Sequence, residues 1–240
     1  MASEYLKRKY KDVKPEEKRE LTPAEKRKNW WYYHKWHIAI GLALTAMAAG
    51  LLLQVLGAGR RSPDYQVAYV GAHSLPEETA AALEAGFAAL GEDLNGDGQV
   101  VVQLNQYPSD HGMDGEAALA AQTALMADLV SCESYFFLME DPEDFLREGQ
   151  VLRRLDGSLP EEGEPAEDAC LAWDRCPALA AMELGEYRYF LLGEEVSGDS
   201  RELVSGLFIG RRGFWTEKTC AYPDGCDALW EKIVEGAAAP

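Results

Sequence analysis

The sequence predicts an α/β protein, in which one transmembrane helix precedes a single doubly wound, mostly parallel α/β domain with antiparallel strands at its edge. Residues 38–57 form an apolar run that contains no charge. After this run, four strand-like segments alternate with helix-like segments, a pattern typical of parallel strands joined by helical crossovers. The remaining chain, roughly 175 residues, has the size of one domain.

The apolar run is long enough to cross a bilayer. Twenty residues that each rise about 1.5 Å match a hydrocarbon core of roughly 30 Å. Aromatic side chains favour the headgroup region, and a cluster of them extends the predicted membrane segment to residues 30–57. These aromatic residues are Trp30, Trp31, Tyr32, Tyr33 and Trp36. We therefore expect the lipid bilayer to be the partner of residues 38–57.

The charges on either side of the run predict its orientation. Residues 1–37 carry eleven bases and six acids, whereas the chain from Ser62 onward carries 10 bases and 35 acids. Basic flanks stay in the cytoplasm, so we expect a cytoplasmic N-terminus and an extracytoplasmic C-terminal domain in a bacterial cell membrane. Residues 1–29 contain too few apolar side chains for a core and are predicted to be a disordered basic tail.

A cleaved signal peptide is the alternative interpretation of the run. Ala46-Met47-Ala48 has the small-residue pattern of a cleavage site. However, the apolar run continues through Leu56, and the tail before it is longer than that of an ordinary signal peptide. These lengths favour an uncleaved signal anchor.

The C-terminal domain is predicted to span residues 65–240, after a linker at residues 58–64. Its first strand is predicted at Gln66–Gly71, where the sequence QVAYVG ends in a glycine. Ser74-Leu75-Pro76-Glu77 resembles a capping box and predicts a helix that ends at Leu90. A turn at residues 91–98 then leads to a strand at Gln99–Asn105.

The next segments continue the alternation. We predict a helix at Glu116–Leu129 and a strand at Ser134–Met139. Asp141-Pro142 provides an N-cap and a proline at the first helical position, so a short helix is expected at Glu143–Glu148. A fourth extended segment follows at Gln150–Leu155.

The pattern is weaker in the last third of the chain. Residues 156–168 are acidic and rich in glycine and proline, which predicts a surface loop. Further elements are predicted as a helix at residues 178–182, strands at Tyr187–Leu192 and Leu203–Ile209, and a C-terminal helix at Asp227–Val234.

The segment Ala117–Glu162 resembles bacterial extracellular solute-binding proteins of the type II periplasmic-binding class. In that family a helix and a small-residue turn, here Ser131-Cys132-Glu133, lead to a strand such as SYFFLM that ends in acidic residues. Leu155-Asp156 corresponds to the point where the chain turns toward the interface between the lobes. With the preceding strands and helix, the resemblance covers about residues 65–160 and corresponds to the first lobe.

The resemblance implies a membrane-anchored extracytoplasmic protein that binds or senses a small solute. Members of the family usually have two lobes, whereas this chain has room for about one. The alternative is a structural or assembly protein of the cell envelope, whose domain docks a protein partner. We do not expect an enzyme, because the G-x-S-x-G motif of hydrolases on such sheets is missing from the sequence.

The candidate ligand-binding residues follow from the predicted sheet. Ligands of open α/β sheets bind beyond the carboxyl ends of the strands. This rule selects His73 and Ser74, Gln106 and Tyr107, and Glu140 and Asp141. Ser74 and Asp141 also suit helix caps, and capping is the simpler explanation of both residues.

Arg211 and Arg212 are unusual in so acidic a domain and could bind a carboxylate or phosphate beside Phe214 and Trp215. Pairing with surface acids is the simpler expectation. The strong negative charge argues against nucleic acid as a partner. Cations, basic peptides and neutral solutes are better candidates.

A calcium-like motif occurs at Asp93, Asn95, Asp97 and Gln99. Oxygen ligands at alternate positions followed by glycine match the first half of a calcium-binding loop. The twelfth position is Leu104, where such a loop needs a bidentate Glu, and the Asn-Gly and Asp-Gly pairs also form plain turns. We expect no cofactor. A weakly bound structural calcium ion is the alternative that the motif leaves open.

Five cysteines follow the membrane segment, on the side where disulfides persist. The simplest pairing joins Cys170 to Cys176 and Cys220 to Cys226, since each pair encloses only five residues. This leaves Cys132 unpaired. Connectivity does not follow from sequence, and all five are free thiols if the compartment is reducing.

Overall fold

The computed structural model describes residues 21–55, 62–109, 115–148, 151–161, 168–191, 194–214 and 217–237. It divides into two compact units, residues 1–60 and residues 61–240. The predicted linker at residues 58–64 falls mostly outside the described residues, but its last residue, Asp64, is buried in the second unit. Residues 1–20 of the predicted basic tail lie outside the described residues.

The first unit contains one long helix, α1, at Pro23–Val55. Its N-terminus is capped by Thr22 and Glu25, because the backbone N–H of Thr22 donates to the Glu25 carboxylate at 2.9 Å and the Glu25 N–H donates to the Thr22 hydroxyl at 3.4 Å. The helix therefore begins six residues before the end of the predicted disordered tail. By length and composition, it is long and apolar enough to cross a membrane.

The second unit is a mixed α/β domain. Its helices and strands follow one another along the chain as β1 (Tyr65–Gly71), α2 (Glu77–Leu90), β2 (Val102–Pro108), α3 (Gly115–Ser131), β3 (Phe136–Met139), α4 (Pro142–Glu148), β4 (Cys170–Ala172), α5 (Pro177–Ala180), β5 (Glu186–Leu191), β6 (Glu194–Asp199), α6 (Ser200–Val204), β7 (Phe208–Arg211) and α7 (Pro223–Val234). A 3₁₀ turn at Trp173–Arg175 precedes α5.

The main sheet has five strands in the order β2-β1-β3-β7-β4. Strand β1 pairs in parallel with both β2 and β3. Strand β7 is antiparallel to its two neighbours, so β1, β2, β3 and β4 all run in one direction. The predicted α/β class with a mostly parallel sheet is therefore confirmed, and the antiparallel strand lies inside the sheet rather than at its edge.

Alternate residues of β1 face two separate cores. Tyr65, Val67 and Tyr69 belong to the larger core, which also contains Leu83 and Phe87 of α2. Ala68 faces the smaller core on the other side of the sheet, against which Leu125 and Leu129 of α3 pack. Consecutive side chains of a strand point to opposite faces, so a strand buried on both sides needs an apolar sequence such as Val67–Val70.

A second, two-stranded sheet is formed by β5 and β6, which pair in antiparallel register from Glu186↔Asp199 to Leu191↔Glu194. Strand β5 contacts α2. A buried pair of hydroxyls joins Thr79 on α2 to Ser200 at the start of α6, with 2.9 Å between the two oxygens. The prediction at Tyr187–Leu192 is confirmed in its described part, whereas β6 was missed.

Several predicted elements are wrong in detail, among them the start of the C-terminal helix, which begins at Pro223 and not at Asp227. Helix α2 begins at Glu77 with Pro76 at the N-cap and no side-chain cap, so the capping box at Ser74 does not form. The fourth extended segment is reduced to a single bridge between Leu152 and Arg212. The strand predicted at Leu203–Ile209 is divided between α6 and β7, because the Asp199 carboxylate accepts from the Arg201 N–H at 2.9 Å and starts a helix there.

Candidate functional site

The carboxyl ends of β1, β2 and β3 meet at one edge of the main sheet and border a cavity of about 760 Å³. Helix α3 contributes six of the described lining residues, and α4 contributes Asp144 and Phe145. This volume lies within the range of small-molecule sites, about 300–1,000 Å³. The cavity is lined by Val70, Gly71, Ala72, Tyr107, Pro108, Ser109, Gly115, Ala118, Leu119, Ala121, Gln122, Leu125, Glu140, Asp141, Asp144 and Phe145.

Glu140 is fixed in place at this edge. Its carboxylate accepts hydrogen bonds from the Tyr69 hydroxyl at 2.6 Å and from the Ala72 N–H at 2.8 Å. The two bonds join the end of β3 to the end of β1. A Cβ at Gly71 would lie 2.6 Å from the Glu140 Oε1, so a side chain at this position would displace the Tyr69 and Glu140 side chains. The sequence prediction therefore correctly brought Glu140 to the strand ends.

Asp141 also lies at the cavity, and its side chain caps α4. The Asp141 Oδ1 accepts from the backbone N–H groups of Glu143 at 3.0 Å and Asp144 at 3.1 Å. The capping interpretation of Asp141 is therefore confirmed. Together with Glu140 and Asp144, it gives the cavity three carboxylates, while none of the described lining residues is Lys, Arg or His.

The other strand-end candidates have different surroundings. Tyr107 lines the cavity, but its hydroxyl donates to the Asp128 carboxylate on α3 at 2.7 Å. Gln106 accepts from the Leu75 N–H at 2.7 Å and so holds the segment before α2 against the end of β2. His73 and Ser74 are exposed on that segment and are not among the described residues that line the cavity.

Arg211 and Arg212 lie at the opposite edge of the sheet, because β7 runs antiparallel and Arg211 pairs with Phe136 at the start of β3. Both are buried, at 5% and 3% exposure. The Arg211 Nη1 lies 3.1 Å from the Asp227 carboxylate, and its guanidinium stacks over the Trp230 ring. Arg211 and Arg212 therefore lie away from the cavity, and the simpler expectation, pairing with surface acids, is confirmed for Arg211.

Arg212 takes part in a buried polar network that sequence reasoning missed. It donates to the carbonyl oxygens of Ser134, at 3.2 Å, and of Leu129. Asp128, 2% exposed, accepts from the Ser134 N–H at 2.8 Å and from the Tyr107 hydroxyl. An acid that follows eleven uncharged residues of the helix was the available signal for Asp128, because such a residue needs buried partners.

The calcium-like motif forms a compact turn stabilised by its own side chains. Asp93 accepts from the N–H groups of Gly96 and Gly98, both at 2.7 Å, and Asn95 accepts from Asp97 at 2.8 Å. Asp97 accepts from the Gln99 N–H at 3.0 Å. Within the described residues, no three His, Cys, Asp or Glu side chains are placed to hold a metal ion.

Asp64 anchors this turn to the sheet, a role that was missed because the residue was assigned to the linker. Its carboxylate accepts from the N–H groups of Leu94 at 2.8 Å, Asn95 at 3.0 Å and Val101 at 2.8 Å. The third bond occupies the N–H of Val101, the residue directly before β2. Strand β2 accordingly begins at Val102 and not at the predicted Gln99.

All five cysteines are free thiols. Cys170 packs against the smaller core and Cys176 belongs to the larger one, so they lie on opposite faces of the sheet and the predicted pairing is not formed. Burial raises the pKa of the Cys170 thiol to about 12 and that of the Cys176 thiol to about 11.

Cys220 and Cys226 both belong to the larger core, and their thiols interact with each other. This contact is the main cause that lowers the pKa of Cys220 and raises that of Cys226. The sequence thus brought the correct two thiols together, and a disulfide between them stays a prediction.

No protein-family model matches the chain, and no significant match is found among curated proteins or among solved structures. The resemblance of residues 65–160 to solute-binding proteins therefore remains a prediction from sequence.

Replacing Asp64 by alanine is expected to destabilise the C-terminal domain by about 2–4 kcal/mol, because three partly buried backbone donors lose their acceptor. Urea unfolding of the full chain in detergent, followed by tryptophan fluorescence, measures this change. The control is Asp97→Ala in the exposed part of the same turn, for which we expect about 1 kcal/mol or less. Equal losses in the two variants would contradict the anchoring role of Asp64.

The domain is expected to lose stability as the pH rises above about 10, the pKa of an unfolded tyrosine. Burial, reinforced by hydrogen bonds to carboxylates, raises the pKa of Tyr69, Tyr107 and Tyr135 in the folded state. Above pH 10 the unfolded chain releases protons that the folded chain retains. Each tyrosine therefore lowers the free energy of unfolding by about 1.4 kcal/mol per pH unit.

Urea unfolding at pH 9, 10 and 11 tests this expectation. Tyr107→Phe removes one titrating group and should flatten the pH dependence, although it also lowers stability at neutral pH. A slope above pH 10 that is the same in the wild type and in this variant would contradict it.

Proposed function

We propose that the chain is a membrane-anchored, extracytoplasmic protein whose α/β domain binds or senses a small solute at the cavity bordered by β1, β2 and β3. The observation that carries this proposal is the position of the cavity. Strand β2 lies on one side of β1 and strand β3 on the other, and α2 and α3 pack against different cores. In a doubly wound sheet, this change of direction opens a crevice in which ligands bind.

The remaining parts of the proposal rest on sequence. The uncharged run of α1 supports membrane anchoring, and the basic residues before it support a cytoplasmic N-terminus. The resemblance to solute-binding proteins supports a solute as ligand, with this domain in the role of a single lobe. No catalytic role is proposed.

Filling the cavity is expected to abolish ligand binding. Ala121 lines it from α3, and Ala121→Trp places an indole in the space for a ligand. A thermal melt of the full chain in detergent is measured against a panel of small solutes. A solute at 100 times its dissociation constant should stabilise the wild type by about 2.7 kcal/mol. This corresponds to a rise in Tm of roughly 5–10 °C.

The matched control is Ala124→Trp on the outer side of α3, where the added side chain faces solvent. Stabilisation by a solute should disappear in Ala121→Trp and persist in Ala124→Trp. The absence of any stabilising solute for the wild type would contradict the proposed function.

Calcium bound at Asp93, Asn95, Asp97 and Gln99 is proposed only as a weak structural ion. The backbone bonds of the turn already use several side-chain oxygens, and Leu104 supplies no ligand at the twelfth position. Thermal melts of the same samples in millimolar calcium distinguish this ion from a ligand in the cavity. Stabilisation by calcium should be the same in the wild type and in Ala121→Trp, whereas stabilisation by a cavity ligand should be lost in the variant.

The second candidate function is docking of an envelope protein, and the outer face of α3 favours it. Leu119, Met126 and Val130 are exposed there at 63%, 43% and 74%. The helix has no charged residue between Glu116 and Asp128. Contiguous exposed apolar surface of this kind marks interaction sites.

A photo-cross-linking residue in place of Val130 is expected to form a discrete adduct with an envelope protein in cells if this alternative holds. The same residue in place of the exposed Glu194 on β6 is the matched control and should form none. Adducts of the same size at both positions, or none at Val130, would contradict docking through α3.

A further inference from the structure

We propose that the cavity takes an organic cation, with an apolar body against α3 and a positively charged group at the rim formed by Glu140, Asp141 and Asp144. This inference rests on the proposed ligand-binding function and adds the chemical class of the ligand. It follows from the difference between the two sides of the cavity and from the way in which the rim carboxylates are held.

The inner side of the cavity is mainly apolar. Leu125 and Ala121 of α3 line it from one side, and the buried Phe145 of α4 lines it from the other. Gln122 is the one polar residue among the described lining residues of α3. Such a surface binds hydrocarbon by removing it from water, and it offers little to a fully hydrated inorganic ion.

The charged residues among the described lining of the cavity are all acidic. Glu140, Asp141 and Asp144 follow β3 and lie at the cavity, and its described lining includes no base. An anionic ligand would therefore enter without a counter-charge, whereas a cation would be attracted. The chain from Ser62 onward carries 35 acids and 10 bases, so the electrostatic field around the whole domain also attracts cations.

Glu140 and Asp141 are held before any ligand arrives. The Tyr69 hydroxyl and the Ala72 N–H fix Glu140, and two backbone N–H groups of α4 fix Asp141. Each carboxylate has about four lone-pair sites, so these bonds leave acceptor sites for an ammonium group. Groups that are already ordered lose little conformational freedom when a ligand binds.

The rim carboxylates are exposed, and this sets the size and the salt dependence of the effect. Exposed ion pairs are weak and are screened by salt. We therefore expect the positive charge to strengthen binding by about three- to tenfold at low ionic strength. Most of this gain should disappear in 0.5 M NaCl.

Three probes of similar shape test the proposal: 2-phenylethylammonium, the neutral 2-phenylethanol and the anionic phenylacetate. Saturation-transfer NMR titrations use the full chain in lipid nanodiscs at pH 7, and the Ala121→Trp chain in the same nanodiscs measures partition into lipid. The expected order of affinity is ammonium, then alcohol, then carboxylate. Binding of the ammonium probe alone should weaken in high salt.

Asp144→Asn removes one rim charge and should weaken the ammonium probe about threefold while leaving the alcohol unchanged. Glu140→Gln is the second variant, with a melt to verify that the domain still folds. The matched control is Glu194→Gln, which removes the same charge at an exposed position on β6, away from the cavity. It should leave all three probes unchanged.

Equal or tighter binding of 2-phenylethanol or phenylacetate overturns the cation proposal. If that binding disappears in Ala121→Trp, the proposed ligand-binding function stands, but the preference for a cation does not. The lack of binding of all three probes also overturns the cation proposal, and the thermal panel then decides the broader function. A solute that stabilises the wild type but not Ala121→Trp supports ligand binding at the cavity. If no solute stabilises the wild type, the proposed ligand-binding function is rejected.

Discussion

The parallel pairing of β1 with two neighbours determines the arrangement of the C-terminal domain. A strand in this position is buried on both faces, so it needs a core above and a core below, and the alternation of Tyr65, Val67 and Tyr69 with Ala68 supplies both. The chain that leaves β1 reaches β2 through α2, and the chain that leaves β2 returns across β1 to β3 through α3. The carboxyl ends of the three strands consequently border one crevice.

The two edges of the main sheet use charge in different ways. At the amino edge of β3, the buried charges of Arg212 and Asp128 are surrounded by protein donors and acceptors, which is the usual condition for a charge inside a protein. At the carboxyl edge, Glu140 and Asp141 use backbone and hydroxyl donors, and no base faces them among the described lining residues. The first arrangement stabilises the fold, and the second leaves negative charge facing an open space.

The parts of the fold that sequence predicts well carry their signal within a few consecutive residues. QVAYVG and SYFFLM are apolar runs that suit a buried strand in any surrounding, and Asp141-Pro142 is sufficient by itself to start α4. Elements that depend on distant partners were missed or misplaced. Strand β4 has three residues and is defined by its pairing with β7, and Ser74 does not cap α2 because the end of β2 holds Leu75 through Gln106.

The candidate site shows the same division. The strand-end rule located Glu140, Asp141 and Tyr107, because it requires only the order of elements along the chain. Arg211 and Arg212 were selected for their charge and not by this rule, and their surroundings did not follow from the sequence, since the direction of β7 and the positions of Asp227 and Asp128 come from tertiary structure. Asp64 was missed for a related reason: its three acceptor bonds lead to residues that are 30 to 37 positions away.

The two faces of helix α3 constrain how its sequence can evolve. Its inner residues line the cavity and its outer residues form exposed apolar surface, while Leu119 belongs to both. A helix with two such faces has few positions at which substitution is neutral, because a change of volume on one side shifts the backbone that carries the other. In related chains, we therefore expect substitutions on the two faces of α3 to occur together. The pattern of covariation between these positions would indicate which face is under selection.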